Sequence, residues 1–462
     1  MSAVSAVSGS GRMAARLDRL PVTWAQWRLA LITQVFWGIS IAADGIPAKL
    51  YPYIWGPHHD FGVGAFSVLL AFQFGVGILL GEYVISFIAD RMGRRAALLI
   101  SALVEGLVLW PTALTHNFAA LMVLFTISSM GMGGVLSTNV AYMAEIVPPN
   151  NRSRVLQTTQ ILAIVIFGLL GNLPALLWVP SHYHLFIYLF SVCCIVVLVP
   201  LGLWLPESPR WLEAHGRHQQ AEEVVERLEN ECRRRSGKEL PEPEYERYEV
   251  PITKRVPVLD IFKGEYASRT VILLICWVCG YGGLVYGFAG YEPTLLAARG
   301  LTSGQVFLDI MLSSVGGGGL GLLITALLGE RVERKTVVLG AAIVNAAGLW
   351  ALFLVHTVWM AFVGVFFGWG AESVFLFNLY NYTANAFPTR VRSVGTGWTD
   401  GIGHIGAIFG SIFAGVVFAA TAHAGYIGWF AFITIPGALL PGVLLFVAGI
   451  KQRRTVLEEV AK

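Results

Sequence analysis

The sequence predicts an all-α membrane protein, with twelve transmembrane helices arranged as two six-helix pseudo-symmetric bundles. Three observations carry that prediction: twelve apolar runs of spanning length, a one-sided distribution of basic residues, and a second half that repeats the first.

Of the 462 residues, 55% are hydrophobic and 13% charged, against about 25% charged in an ordinary soluble domain. The 51 glycines and 20 prolines would disrupt a soluble bundle. Membrane helices accommodate both, because neighbouring helices and water take up the freed backbone groups. Five cysteines (Cys193, Cys194, Cys232, Cys276, Cys279) are too few for a disulfide framework. Cys276 and Cys279 read as packing inside an apolar run, so neither a metal nor a cofactor is expected.

A helix needs about 20 apolar residues to cross about 30 Å of hydrocarbon. Such runs cover 26–48, 63–88, 96–115, 118–144, 155–179, 183–205, 270–297, 303–328, 336–355, 358–386, 393–421 and 425–450. Positive charge is retained on the cytoplasmic face. Lys49 and Arg299 alone fall in outer connections. The other basic residues lie in the tails, in the central loop, or in short connections such as Arg91/Arg94/Arg95, Arg152/Arg154, Arg331/Arg334/Lys335 and Arg390/Arg392. Both termini are therefore expected in the cytoplasm, with the chain a multi-pass protein of the plasma (inner) membrane. The net charge of +3 matters through this placement and not through its sum, and no nucleic-acid partner is expected.

Residues 1–23 lack the apolar core of a signal peptide, so 1–25 reads as a cytoplasmic tail. The expected organisation continues with a six-helix bundle at 26–205, a linker at 206–269, a second bundle at 270–450 and a tail at 451–462. Within the linker, Trp211, Leu212, Ala221, Val224, Val225 and Leu228 recur at helical spacing among Glu222, Glu223 and Arg227, which predicts short amphipathic helices.

One constant shift of 240 residues lays the halves over each other. Gly81, Asp90, Arg91, Arg94 and Arg95 meet Gly321, Glu330, Arg331, Arg334 and Lys335, and Tyr142, Ala144, Pro148, Arg152 and Ser153 meet Tyr382, Ala384, Pro388, Arg392 and Ser393. Parallel repeats of this kind place a binding site between them near the midplane.

The segment Asp90-Arg91-Met92-Gly93-Arg94-Arg95 resembles the D-R-x-G-R-R loop of major facilitator transporters. Residues 127–152 resemble the sugar-porter signature through Gly133, Tyr142, Glu145 and Arg152, with Ser129 in place of a glycine. Leu205-Pro206-Glu207-Ser208-Pro209-Arg210-Trp211-Leu212 is similar to the segment that ends the sixth helix in that branch, which also holds organic-ion carriers and aromatic-acid:proton symporters. The resemblance implies the major facilitator fold and a cytoplasmic gate of Asp90, Arg91, Arg94, Arg95, Glu145 and Arg152, with Glu330, Arg334 and Arg392 in the second half. It also implies that helices 1, 4, 7 and 10 line a central cavity. Aromatic-acid carriers carry an arginine where this chain has Phe125 and Thr126, so the cargo is expected to be a sugar, polyol or related metabolite and not an obligatory carboxylate.

Ionisable groups inside lipid are costly and mark ion or substrate pathways. Asp44, Glu82, Glu105, Glu372, Asp400 and His404 fall well inside predicted spans, and no lysine or arginine does. Asp44 and Glu372 rank first for proton coupling; Asp400 and His404, four apart, share a face, while Glu82 and Glu105 read equally well as ties between helices. Asn139, Tyr281, Tyr286, Asn378, Tyr380 and Asn381 are the candidate polar groups of the cavity. His58, His59, His116, His182, His184, His356 and His423 read as interfacial residues of outer loops. The expected function is proton-coupled symport by a monomer, its partners being a small-molecule substrate, protons and membrane lipid. An uncoupled facilitator and a non-transporting membrane sensor are the alternatives. No nucleophile elbow, metal cluster or phosphate loop points to an enzyme.

Overall fold

The computed structural model describes residues 12–56, 61–237, 239–245, 258–328, 331–387 and 392–452. His58, His59, Glu330, Pro388 and Arg390 lie outside these residues, as do the side chains of Arg152 and Arg392. The described residues form helices and no strand. Twelve helical segments are long and apolar enough to cross a membrane: Trp24–Trp55, Val63–Met92, Arg94–Thr112, Phe118–Ile146, Arg154–Trp178, Tyr183–Leu203, Tyr266–Ala298, Ser303–Thr325, Arg334–Leu354, Val358–Thr383, Gly397–Ala420 and Ile427–Ala448. They are called spans 1 to 12 below.

Span 1 departs most from the sequence reading. A hydropathy run stops at the first charge, but a chain in lipid keeps its backbone groups paired and so stays helical. The helix therefore continues through Pro47 and Pro52, with a wider π-type turn over Tyr51–Trp55. Lys49 is consequently not in an outer connection: it is 4% exposed inside the span. That corrects the expectation that no lysine or arginine lies within a membrane helix. Span 11 is interrupted at His404, between helical stretches Arg392–Gly403 and Ile405–Ala420.

The 240-residue repeat reappears as matched contacts. Gly77 and Gly81 of span 2 lie against the carbonyls of Thr126 and Met130 in span 4, and Gly317 and Gly321 of span 8 lie against those of Phe366 and Gly370 in span 10. Any side chain at these four positions collides with backbone. Caps match as well: Asn117 accepts from the Ala120 amide at the start of span 4 (3.0 Å), and Thr357 from the Met360 amide at the start of span 10 (3.2 Å). Tyr142 donates to the Pro206 carbonyl (2.9 Å) and Tyr382 to that of Ile450 (3.0 Å).

The segment after span 6 forms helices Pro209–Ala214 and His218–Ser236. Ser208 caps the first, and Gly237 ends the second in the left-handed region, at φ 64°. Ala221, Val224, Val225, Leu228 and Cys232 are buried against the first half, together with an N-terminal helix, Arg12–Asp18. The side of the molecule carrying these helices is called the linker face.

Buried apolar residues fall into three large groups. One, holding Tyr51, Phe66, Phe74, Phe288, Tyr291 and Trp429, draws on both halves. The other two, nearer the linker face, each belong to one half, around Leu98 and Tyr142 in the first and Trp277 and Tyr382 in the second. Away from the linker face the halves thus share a core, and towards it they part.

Candidate functional site

Aromatic rings seal the far side of the seam between the halves. Tyr51 of span 1 stacks on Phe66 of span 2 with centroids 4.0 Å apart, Phe66 meets Tyr291 of span 7 at 5.6 Å, and the Tyr291 hydroxyl donates to Ser67 Oγ (2.7 Å) and to the Ser411 carbonyl (2.9 Å). Tyr51 and Tyr291 are themselves repeat-related. Gly75 lies directly against Ile408 where spans 2 and 11 cross, and Gly168 against Val315 where spans 5 and 8 cross.

Below this seal the polar groups form a series from half to half. Asp44 accepts from Gln73 Nε2 (3.0 Å) and from the Ser129 hydroxyl, both in its own half. Lys49 lies five residues on, its ammonium against the backbone of Gly45 and Gly171 and 5.5 Å from the Phe167 ring centroid. Across the seam Glu292 of span 7 is 2% exposed and accepts from the Trp369 indole at 3.1 Å. Phe167 and Trp369, from opposite halves, are 5.5 Å apart. Glu372 is 5% exposed, and its Oε2 has no hydrogen-bond partner among the described residues.

A second cluster lies closer to the linker face. Glu82 of span 2 sits 3.7 Å from His404 Nδ1 of span 11, Tyr281 of span 7 donates to Asp400 Oδ1 (2.7 Å), and the hydroxyls of Tyr281 and Tyr380 are 2.5 Å apart. The His404 ring lies 4.3 Å from that of Tyr281. Tyr286 joins the two clusters: it stacks on Phe74 at 4.7 Å and is within electrostatic range of Asp44, Glu82, Asp400 and Glu372. Of these neighbours Phe74, Asp44 and Glu82 belong to the first half, and Asp400 and Glu372 to the second.

The remaining sequence candidates lie elsewhere or have local partners. Glu105 accepts from the Ser40 hydroxyl (2.6 Å), tying span 3 to span 1. Asn378 donates to Thr325 (3.1 Å) and to the Val374 carbonyl (2.8 Å), which fixes span 10 to span 8 and removes its amide from the seam. Asn139 is 4% exposed, with Oδ1 unpartnered among the described residues, and the Asn381 carbonyl accepts from Asn385 (2.8 Å).

Sequence reasoning missed Lys49, Glu292 and Asp309. The two acids lay inside predicted spans and were legible by the rule that found the others. Lys49 carried a subtler signal, the apolar stretch Leu50 to Trp55 that follows it.

On the linker face Arg94 pairs with Asp90 (2.7 Å) and Glu145 (3.1 Å), and Arg210 donates to the Glu145 carbonyl (3.1 Å) and to Asp18 (2.5 Å). Arg91 lies over the Phe87 ring, and Arg95 donates to the Gly202 carbonyl. Glu207 accepts from the backbone amides of Arg94 (2.8 Å), Arg95 and Ser208 (2.9 Å), beside Gly93 at φ 104°, a turn that L side chains disfavour. Burial pushes the Glu207 carboxyl up, although those amides and Arg94 oppose the shift. Arg16 pairs with Glu229 (2.9 Å) and Glu222, and Arg19 with Glu229 (2.6 Å). Burial acts to raise Glu229, but the two guanidiniums outweigh it and hold the carboxyl below its ordinary value. Every pair named here lies within the first half and its attached helices.

The family model of the Major Facilitator Superfamily matches residues 29–327. The chain is 26% identical to the putative metabolite transport protein YyaJ of Bacillus subtilis (strain 168), over 90% of this chain and 91% of that protein. It is 27% identical to a gallate transporter of Pseudomonas putida, over 87% of each. A D-xylose-proton symporter structure shares its fold with a TM-score of 0.69 at 16% identity, covering 92% of this chain and 97% of that one.

Proposed function

Because the chain belongs to the Major Facilitator Superfamily, we propose that it is a proton-coupled secondary transporter, moving a small polar organic metabolite across the plasma membrane by alternating access. One observation carries the coupling: Glu82 of the first half faces His404, with Asp400 one helical turn away, in the second half. Such a contact lies where the two halves meet and is rearranged when they rock against each other, so the charge on these groups bears on the balance between conformations. The aromatic seal on the far side, and the separate cores nearer the linker face, support a state closed outward and parted towards the cytoplasm.

Carrying net charge through a closed seam in lipid is costly. A proton taken up by Glu372 or by the Glu82, Asp400 and His404 cluster lowers that cost when cargo is aboard, and loaded carriers then rock while partly loaded ones do not. Asp44, held by Gln73 and Ser129 within its own half, serves to shape span 1. The Asp90, Arg94 and Glu145 network acts as the latch of the cytoplasmic face, joining spans 2 to 4 to the linker helices so that the first half moves as one body.

The test is uptake by purified protein in liposomes under an imposed pH gradient, with a panel of radiolabelled metabolites. A Glu372→Gln protein is expected to lose gradient-driven accumulation while keeping substrate exchange; accumulation equal to wild type would overturn its coupling role. Relatives named for gallate and fold neighbours named for xylose do not choose between an anionic and a neutral cargo. The chemistry of the seam has to.

A further inference from the structure

We propose that Lys49 is the carboxylate-binding residue of the substrate site, so that the cargo is a small aromatic carboxylate and not a neutral sugar or polyol. The proposal rests on the transport reading above and names the cargo of that same seam.

Lys49 is 4% exposed; its backbone amide donates to the Gly45 carbonyl (3.3 Å), but among the described residues its ammonium makes no hydrogen bond or ion pair. An ammonium buried in a membrane helix without a close partner costs several kcal/mol, a cost that a bound anion offsets. Two buried carboxylates, Glu292 and Asp44, lie within electrostatic range of it, and both already have neutral donors. Asp44 accepts from Gln73 and Ser129, and Glu292 accepts from the Trp369 indole through both oxygens, at 3.2 and 3.1 Å. The positive charge is balanced at long range and lies over the Phe167 ring, but no anion among the described residues touches it.

The surroundings specify what completes it. Gly45 and Gly171 bring backbone instead of side chains against the ammonium, and a Cβ at Gly45 would crowd it. Phe167, 5.5 Å from the ammonium and 5.5 Å from Trp369, forms with that indole an aromatic wall drawn from both halves. An arene laid against that wall gains stacking contacts while its carboxylate meets the Lys49 ammonium. A neutral polyol would leave the ammonium without a counter-charge. The absent arginine near Phe125 and Thr126, which argued against an acid, is thus compensated by a cation on span 1.

Binding is tested on the full chain in lipid nanodiscs with benzoate, benzamide and xylose, read by quenching of tryptophan fluorescence. Benzoate is expected to bind about 10- to 100-fold more tightly than benzamide, the range for one charge-assisted contact. Lys49→Gln removes that preference, and Lys49→Arg retains most of it. Glu292→Gln, which takes away the competing carboxylate, tightens benzoate binding and decides the question if Lys49→Gln fails to fold. Equal affinity for benzoate and benzamide, no benzoate binding, an unchanged preference in Lys49→Gln, or unchanged or weaker benzoate binding in Glu292→Gln overturns the proposal. Liposome uptake separates the two readings. Xylose accumulation without benzoate binding sinks this proposal and spares the transporter, whereas Lys49-dependent benzoate binding with no solute moved spares this proposal and sinks the transporter.

Discussion

Spans 4 and 10 are repeat-related, and Met132 of the first stands where Glu372 stands in the second. Both helices press against a glycine-faced neighbour in the same way, and both residues are buried, at 8% and 5% exposure. Individual buried acids differ in how they are satisfied, within each half as well as between them. In the first half Asp44 accepts from Gln73 and Ser129, and Glu105 from Ser40. In the second, Glu372 Oε2 and Asp309 Oδ2 have no partner among the described residues. Backbone contacts have survived duplication while side-chain chemistry has diverged. An acid whose role is to join helices finds donors nearby, and one left short of donors is where a proton or ligand can act.

That contrast predicts a difference in transport, the largest effect expected. Glu82→Gln should reduce pH-gradient-driven accumulation to the level seen without a gradient, whereas Glu105→Gln, whose amide oxygen can still accept from Ser40, should leave it close to wild type. Equal losses in the two proteins would erase the distinction between seam acids and packing acids.

The shared skeleton makes the opposite prediction, of sameness. Gly81→Leu and Gly321→Leu should each destabilise the protein by about 1–3 kcal/mol through overpacking, measured by thermal unfolding in detergent. A large loss at one position with tolerance at the other would break the structural equivalence of the halves.

The ion network of the linker face belongs to the first half and should respond to pH. Glu229 is held below its ordinary value by Arg16 and Arg19 against the opposing effect of burial. Its contribution is therefore complete above the unfolded carboxylate value of about 4.3 and is lost as pH falls through the lower folded value. Glu229→Gln should cost about 1–2 kcal/mol at neutral pH, and the gap to wild type in thermal unfolding should narrow as pH falls below the ordinary carboxylate value of about 4.3. A gap that persists in acid would mean that packing and not charge holds the linker helices. The smallest effect is expected at Asn378: with its amide bound to Thr325 and Val374, Asn378→Ala should change uptake by less than about twofold, since a typical hydrogen bond contributes only about 1 kcal/mol to stability.

Twelve spans and the repeat were legible because hydropathy, charge bias and glycine spacing are properties of the chain itself. The facing of side chains was not. Asp400 and His404 could be put on one face, but their meeting with Glu82 depends on how span 2 crosses span 11 at Gly75 and Ile408. Asn378 looked like a cavity residue because span 10 lines the seam, yet its own azimuth points it at span 8. Lys49 was lost to the assumption that a lysine ends a span; two prolines and a widened turn carry the helix past it instead.

The rocking of two rigid halves is tested most directly by paired distance measurements. Spin labels at the repeat-related positions Met92 and Val332 report on the linker face, and labels at Leu114 and Leu354 on the far face. In liposomes, shifting from alkaline to acidic pH should redistribute both pairs in opposite senses, one distance shortening as the other lengthens. Two distances that stay fixed, or that change together, would contradict alternating access about this seam.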